Sequence, residues 1–300
     1  MPAREIRSYI ESVASVPALL DERNFLGRAE AADFLEFNVL VRLDGLRSDA
    51  IPEEDASALR RQATEILDRL ESIDKGLFTR LRGELRGSGD ARGDLMRMIG
   101  EHVGGIPSGN GRDGGIGYDC LDLFVNGLLS FLPIPSETRS REPGMVYFQK
   151  TPARIILEMI EKARFKESDV FFDLGSGLGQ VPILVNLLAG VEAKGIEFEP
   201  AYCEHAKRYA EELRLRRVES IHADARDVDY SAGTVFFLYT PFEGGILETV
   251  LEKLRAETGR DVRVFTYGPC TAAVAGMDWL KPSAGKAAGM HELGMFERVA

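Results

Sequence analysis

The sequence predicts an α/β protein: a mostly parallel sheet with an antiparallel strand pair at its C-terminal end, preceded by an all-helical N-terminal region. Three observations predict it. Up to about residue 100, apolar residues recur at helical spacing. After Gly144, short apolar runs alternate with helical segments, the pattern of parallel strands joined by crossover helices. Between the first of those runs and the next helix lies a glycine-rich turn, Gly175-Ser176-Gly177-Leu178-Gly179.

Residues 1–143 form the expected helical region and 144–300 the second domain. A helix is expected over Ala31–Leu43, with Phe34, Leu35 and Val39 turned inward. Ile51-Pro52-Glu53-Glu54-Asp55 reads as a helix start, because Pro pre-sets φ and acids complement the N-terminal dipole. Leu59, Ala63, Ile66, Leu67, Leu70 and Ile73 continue it. Gly76 and Gly83 argue against one unbroken helix beyond that point. Residues 104–117 are half glycine, which predicts a linker, with a functional lid as the alternative. Tyr118–Leu132 reads as a core helix with Leu121, Phe124, Val125, Leu128, Leu129 and Leu132 on one stripe, stopped by Pro133 and Pro135.

In the second domain, strands are expected over 169–173, 193–197, 218–222, 235–239 and 263–266. Helices are expected over 178–189, 200–215 and 243–257. Residues 277–280 and 292–299 could add the antiparallel pair, with Trp279 packing it. Thr151 is expected to cap a helix whose first residue is Pro152, with Ile155, Ile156, Met159 and Ile160 on its buried face.

Composition narrows the function. The formal net charge of the 300 residues is −11. It is spread evenly, with 19 basic against 25 acidic residues up to 150 and 18 against 23 after it. Neither half has the basic footprint of a nucleic-acid binder, so no nucleic-acid partner is expected. Lys75 to Arg97, mildly basic, reads as a solvated helix face. Cys120, Cys203 and Cys270 are sparse and far apart, which favours a reducing compartment. The N-terminus has no apolar signal core and no run is long enough to span a bilayer. A cytoplasmic protein without a membrane partner is expected. Four separated histidines make a metal site unexpected. His205 reads as part of a solvated helix face, and His222 as a pocket wall.

The glycine turn sits where open α/β sheets bind ligands, beyond the carboxyl ends of the strands. Its glycines fall at 175, 177 and 179, with Gln at 180, and so miss the G-x-G-x-x-G spacing of dinucleotide sites. Asp173, just before the turn, is a poor neighbour for a pyrophosphate and a good one for a cation. That disfavours a nicotinamide-dependent oxidoreductase. Glu197 ends the second strand, where a carboxylate can accept hydrogen bonds from a ribose diol. Asp224 follows the third strand, where it can accept from an adenine amino group. S-adenosylmethionine, cationic and phosphate-free, suits three acids at three adjacent strand ends.

Residues 145–270 resemble the class I, Rossmann-like methyltransferases that use S-adenosylmethionine. Asp173-x-Gly175-x-Gly177-x-Gly179 is similar to that family's first motif, Glu197 to its second-strand acid and Asp224 to its third-strand acid. Phe148-Gln-Lys-Thr-Pro-Ala-Arg, Asp-Leu-Gly-Ser-Gly and Gly-Ile-Glu-Phe-Glu-Pro resemble the protein-lysine methyltransferases that lack a SET domain, and their bacterial relatives. The resemblance implies a Rossmann-like methyltransferase sheet. It implies a cofactor set of Asp173, Gly175, Ser176, Gly177, Gly179, Gln180, Glu197, Phe198, Asp224, Ala225 and Tyr239, with Tyr147 and Thr151 closing over the methionine end. It implies that Tyr239-Thr240-Pro241-Phe242 faces the transferred methyl, with Tyr239 and Thr240 as catalytic candidates. The implied acceptor is a protein side chain such as lysine. Two alternatives stay open: a small-molecule acceptor under a helical lid, and a non-catalytic module that binds the cofactor.

Overall fold

The computed structural model describes residues 2–45, 51–105, 119–129, 132–286 and 288–299. The chain divides into two compact units. The first comprises Met1–Glu84, Met96–Ile106 and Asp119–Leu128; the second comprises Leu85–Leu95, Pro107–Tyr118 and Leu129–Ala300. Most of the expected glycine-rich linker, from residue 106, lies outside the described residues.

The N-terminal helices are α1 (Pro2–Ala14), α2 (Phe25–Leu35), α3 (Val41–Gly45), α4 (Glu53–Gly87), α5 (Ala91–Val103) and α6 (Cys120–Leu129). The helix expected over 31–43 begins earlier, at Phe25, because Asn24 caps it by accepting from the Gly27 N–H at 3.2 Å. It passes through a π-helical turn at Glu36–Leu40, which keeps Leu35, Val39 and Leu43 buried. Contrary to expectation, α4 runs unbroken through Gly76 and Gly83. Each glycine costs about 1 kcal/mol relative to alanine. Leu77, Phe78 and Leu81 are buried beside them, at about 1.5–3 kcal/mol each, and outweigh that cost.

The first unit is centred on Ile6, Ile10, Leu35, Val39, Leu59 and Ala63. Nearby, the rings of Phe25, Phe78 and Phe124 meet edge to face at 5.6–5.7 Å. Arg28, fully buried, donates to Asp74 at 2.7 Å, to the Glu22 carbonyl at 2.9 Å and to the Asp21 carbonyl. The basic stretch is only partly the solvated face expected. Lys75, Arg80 and Arg97 are exposed and paired with Glu71, Glu22, Glu84 and Glu101. Arg82 is buried and donates to the Gly127 and Leu128 carbonyls near the end of α6.

The second unit holds α7 (Ala153–Ala163), β1 (Val170–Leu174), α8 (Gln180–Ala189), β2 (Glu192–Glu197), α9 (Pro200–Glu212), β3 (Val218–His222), β4 (Val235–Leu238), α10 (Gly244–Glu257), β5 (Arg263–Thr266), α11 (Cys270–Ala275), β6 (Leu280–Pro282) and β7 (Gly294–Arg298). The sheet order is β3-β2-β1-β4-β5-β7-β6. The first five strands are parallel; β7 runs antiparallel to β5, and β6 to β7. This is the expected architecture. The strand expected over 277–280 sits slightly later, because turn bonds from Met277 to Val274 and from Leu280 to Met277 occupy its first residues. The short α11 was not anticipated. Trp279 is buried beneath the Arg298 guanidinium.

Phe171, Phe172, Leu174 and all of β4 are buried, which is why these strands read as continuous apolar runs rather than alternations. The chain leaves β1 for β2 on one side and returns to β4 on the other, so the carboxyl end of β1 is the switch point of the sheet. Among the described residues no helix is long and apolar enough to cross a membrane.

At the opposite end of the sheet Asp169 clasps three segments. It accepts from the Lys166 N–H at 2.7 Å, Thr234 Oγ1 at 2.9 Å and Arg263 Nη2 at 2.6 Å. Burial works to raise its pKa, but the bonds from Lys166, Arg263 and Thr234 prevail and hold it below the ordinary carboxylate value. Asp169→Ala removes the carboxylate partner of the half-buried Arg263 guanidinium, which keeps only the Ala163 carbonyl among the described residues, and is expected to cost about 1.5–3 kcal/mol in urea unfolding. The wild-type contribution is present above the ordinary carboxylate pKa and is lost as pH falls through the lowered one.

Candidate cofactor and methyl-transfer site

The site is assembled at the switch point. Beyond β1 the chain turns sharply, with the Gly175 and Ser176 N–H groups both donating to the Ile196 carbonyl at 2.9 Å. Gly175, Gly177 and Gly179 adopt φ of +80°, +52° and +78°. A Cβ at Gly175 would lie 2.2 Å from Pro241 Cβ, at Gly177 2.2 Å from the Phe148 ring, and at Gly179 2.6 Å from Ala206 Cβ. The three glycines thus admit the corner after β4, the segment before α7 and helix α9 respectively.

Three acids end the neighbouring strands in different electrostatic states. Asp173 is 3% exposed. Burial, and then the Glu197 charge, push its carboxyl well above the ordinary range, and among the described residues no hydrogen bond opposes them. Glu197 Oε2 accepts from the Gly177 N–H and Oε1 from the Glu199 N–H, each at 2.7 Å. Burial still raises its pKa despite those bonds. Asp224 is held by Arg226, which donates from its backbone N–H at 2.8 Å, Nε at 2.9 Å and Nη2 at 2.6 Å. These bonds lower the Asp224 pKa. Arg226 also reaches Glu142 at 2.9 Å.

The corner after β4 carries strain. Thr240, a β-branched residue, has φ of +41°, a rare conformation that needs support from its surroundings. Its buried hydroxyl supplies that support, donating to the Tyr267 carbonyl and accepting from the Cys270 N–H, each at 3.2 Å. The Thr240 hydroxyl is therefore engaged with the β5–α11 connection. Tyr239 packs on Tyr267 with ring centroids 5.1 Å apart.

Residues 142–151 form a strap latched to this corner. The Val146 N–H donates to the Pro241 carbonyl at 3.1 Å, the Glu243 N–H donates to the Gly144 carbonyl at 2.7 Å, and Met145 bridges Phe242. Phe148 lies on Gly177 and against Tyr202. Thr151 does not cap α7 as expected. Pro152, with ψ of 132°, is itself the N-cap and supplies no side-chain bond, so the helix starts one residue later than expected. Thr151 is instead buried in the cleft wall.

Of the residues singled out in the sequence, Tyr147, Thr151, Asp173, Gly175, Ser176, Gln180, Glu197, Phe198, Asp224, Ala225, Tyr239 and Thr240 line one cleft. Gly177 and Gly179 lie behind it, under Phe148 and α9. His205 is not solvated: it is 6% exposed, with Nε2 2.8 Å from the Pro133 carbonyl. His222 is exposed and faces Arg139 at 3.5 Å outside the cleft wall. Sequence reasoning missed Glu137, Arg139 and Arg141, which line the cleft from a segment assigned to the helical region. It also missed Glu199, whose sequence signal is an acid directly before a proline that opens a helix. Ser176 Oγ and Gln180 Nε2 are buried without a hydrogen-bond partner among the described residues. Orphaned polar atoms of this kind, in a cleft that also holds an uncompensated acid, fit a polar, cationic ligand. Among the described residues no side-chain cluster could hold a metal ion.

The glycine assignments are testable by substitution. Gly175→Ala combines a left-handed φ with a collision against Pro241 and is expected to cost about 1–3 kcal/mol in denaturant unfolding. Gly190, at φ +70° with open space around it, is the control. Gly190→Ala is expected to cost about 1 kcal/mol, from φ strain alone.

Residues 144–237, from the strap through most of β4, match the family described as "Histone methylation protein DOT1". A probable cobalt-precorrin-6B C(15)-methyltransferase (decarboxylating) of Sulfolobus acidocaldarius is 32% identical over 97 residues, which are 32% of this chain and 49% of that protein. The chain thus spans about half the length of this curated relative. An RNA methyltransferase from Salinibacter ruber, solved with S-adenosyl-L-homocysteine, aligns at 24% identity and a TM-score of 0.42, over 49% of this chain and 91% of that one. A ribosomal protein L11 methylase from Lactobacillus delbrueckii subsp. bulgaricus aligns at 17% identity and a TM-score of 0.40, over 48% and 77%. By its strand order, its glycine turn between β1 and α8 and its matched segment, the sheet-bearing unit has the fold of the class I, Rossmann-like methyltransferases.

Proposed function

We propose that the chain is an S-adenosylmethionine-dependent methyltransferase whose acceptor is a protein side chain, lysine foremost. One observation carries the cofactor: a buried carboxyl, Asp173, beside a second, half-buried acid, Glu197, with no donor or cation among the described residues to balance it. Such a pair favours a ligand that brings positive charge and no phosphate. Asp173 would face the ammonium-bearing end, Glu197 the ribose diol, and Asp224 with Ala225 the adenine. Bound there, the cofactor supplies a methyl group on a sulfonium, a good leaving group.

The protein's own part is alignment and exclusion of water. Thr240 holds the corner in its strained turn, and the Tyr239 ring, Phe242 and Met145 give that end of the cleft an apolar wall. An apolar wall favours the neutral, nucleophilic form of an amine. The protein acceptor is supported by the matched family's description and by the cleft rim, where Tyr147 is 76% exposed beneath the Arg141 guanidinium. A small-molecule acceptor is the second reading, favoured by the curated relative's name. A cytoplasmic setting fits the three free cysteines, and the net charge of −11 disfavours a nucleic-acid acceptor.

Two measurements test this. In calorimetry the wild type is expected to bind S-adenosylhomocysteine and Asp173→Asn to bind it about 10–100-fold more weakly, the value of a charge-assisted hydrogen bond. The same variant is expected to be more heat-stable than the wild type without ligand near neutral pH. A carboxyl with a raised folded pKa loses stability as pH rises through that value, and the amide removes the loss. For the acceptor, cell lysate incubated with methyl-labelled cofactor is expected to carry label on lysine in the protein fraction; label confined to small metabolites contradicts a protein acceptor.

A further inference from the structure

Glu199 has no part in the reading above, yet it is 5% exposed and gathers four donors. Oε1 accepts from Thr138 Oγ1 at 2.6 Å and from the Ala201 N–H at 3.0 Å. Oε2 accepts from the Thr138 and Arg139 N–H groups, each at 2.9 Å. Only the Ala201 bond belongs to its own helix, as an N-cap of α9. The residues preferred for that cap are the short Ser, Thr, Asp and Asn. A glutamate is longer than the cap requires, and its reach brings in a segment far upstream.

That segment forms part of the cleft. The Arg139 guanidinium lies 4.1 Å from the Phe198 ring centroid. Glu137 accepts from Tyr202 Oη at 3.2 Å and from Arg141 at 2.6 Å, and Arg141 in turn covers Tyr147 at 3.5 Å. The backbone N–H of Glu199 meanwhile holds Glu197 Oε1 at 2.7 Å. One residue therefore fixes both the acid at the end of β2 and the wall opposite it.

We infer that Glu199 is a positioning residue that clamps residues 137–141 as the outer wall of the cleft, so that a nucleoside is held between that wall and the strand ends. The inference rests on the reading of this cleft as the S-adenosylmethionine site. The clamp is permanent across the ordinary pH range. Burial opposes the charge, but the bonds from Thr138, Ala201 and Arg139 hold the carboxyl at a pKa of about 2.

Two variants separate the clamp from the helix cap. Glu199→Asp keeps an efficient N-cap and is too short to reach Thr138; Thr138→Val removes a clamp bond without touching α9. Each full-length protein is titrated with S-adenosylhomocysteine, and amide hydrogen exchange is followed in the free and bound states. Glu199→Asp is expected to bind about tenfold more weakly, or about 1.4 kcal/mol. Thr138→Val is expected to shift binding in the same direction by a smaller factor. Without ligand, exchange at the Thr138 and Arg139 amides is expected to quicken in Glu199→Asp while β1 and β4 stay at wild-type rates. Affinity within twofold of wild type, or quickened exchange spread over the whole sheet, overturns the clamp. Failure of the wild type itself to bind overturns the functional reading and the clamp's role with it, while the ligand-free exchange data still report on the contact.

Discussion

The site is organised around two neighbouring carboxyl groups at the ends of the central strands, Asp173 buried and Glu197 half-buried. A buried acid without a partner is costly, and a second acid beside it increases the cost. Glu197 recovers part of it through the N–H groups of Gly177 and Glu199. Asp173 recovers none from the described residues, and burial and the Glu197 charge raise its pKa. The rest of the second unit can tolerate this because the central strands β1, β4 and β5 are buried on both faces and the far end of the sheet is secured by the Asp169 clasp. Stability is supplied at one end of the sheet and a demand for positive charge is maintained at the other.

The loop geometry follows from the same constraint. A ligand can meet Asp173 only if backbone approaches the strand end closely, and the glycines at positive φ allow three separate segments to do so. The corner after β4 answers with a strained threonine whose hydroxyl is consumed in holding the turn. Strain held at a site in this way is a means of fixing geometry before a reactant arrives. The strap completes the enclosure, tied to the corner by backbone bonds and resting Phe148 on Gly177.

The parts of this arrangement that were legible in the sequence are those written in local pattern. The apolar runs of β1 and β4, the glycine spacing and the acids at 173, 197 and 224 each follow from neighbours along the chain. What was not legible depends on partners distant in sequence. Thr138 and Glu199 meet only when the segment before the strap folds back on α9. The pairing of Asp224 with Arg226 was readable from their closeness and was overlooked. His205 looked solvated because its charged neighbours suggested an outer face, whereas the carbonyl of Pro133 turns that position inward. Gly76 and Gly83 suggested a break because propensity was weighed without the burial of Leu77, Phe78 and Leu81.

The most direct test of the central claim is the proton balance of ligand binding, measured by titrating S-adenosylhomocysteine into the protein in two buffers of different ionisation enthalpy at matched pH. A carboxyl whose pKa is raised by burial in the free protein gives up any proton it holds when it receives an ammonium. Binding is therefore predicted to release protons into the buffer and to tighten as pH rises towards the free-state pKa of Asp173. Binding without proton release, or with proton uptake, would contradict the account, because it would mean that the buried Asp173 is not what the ligand's charge answers.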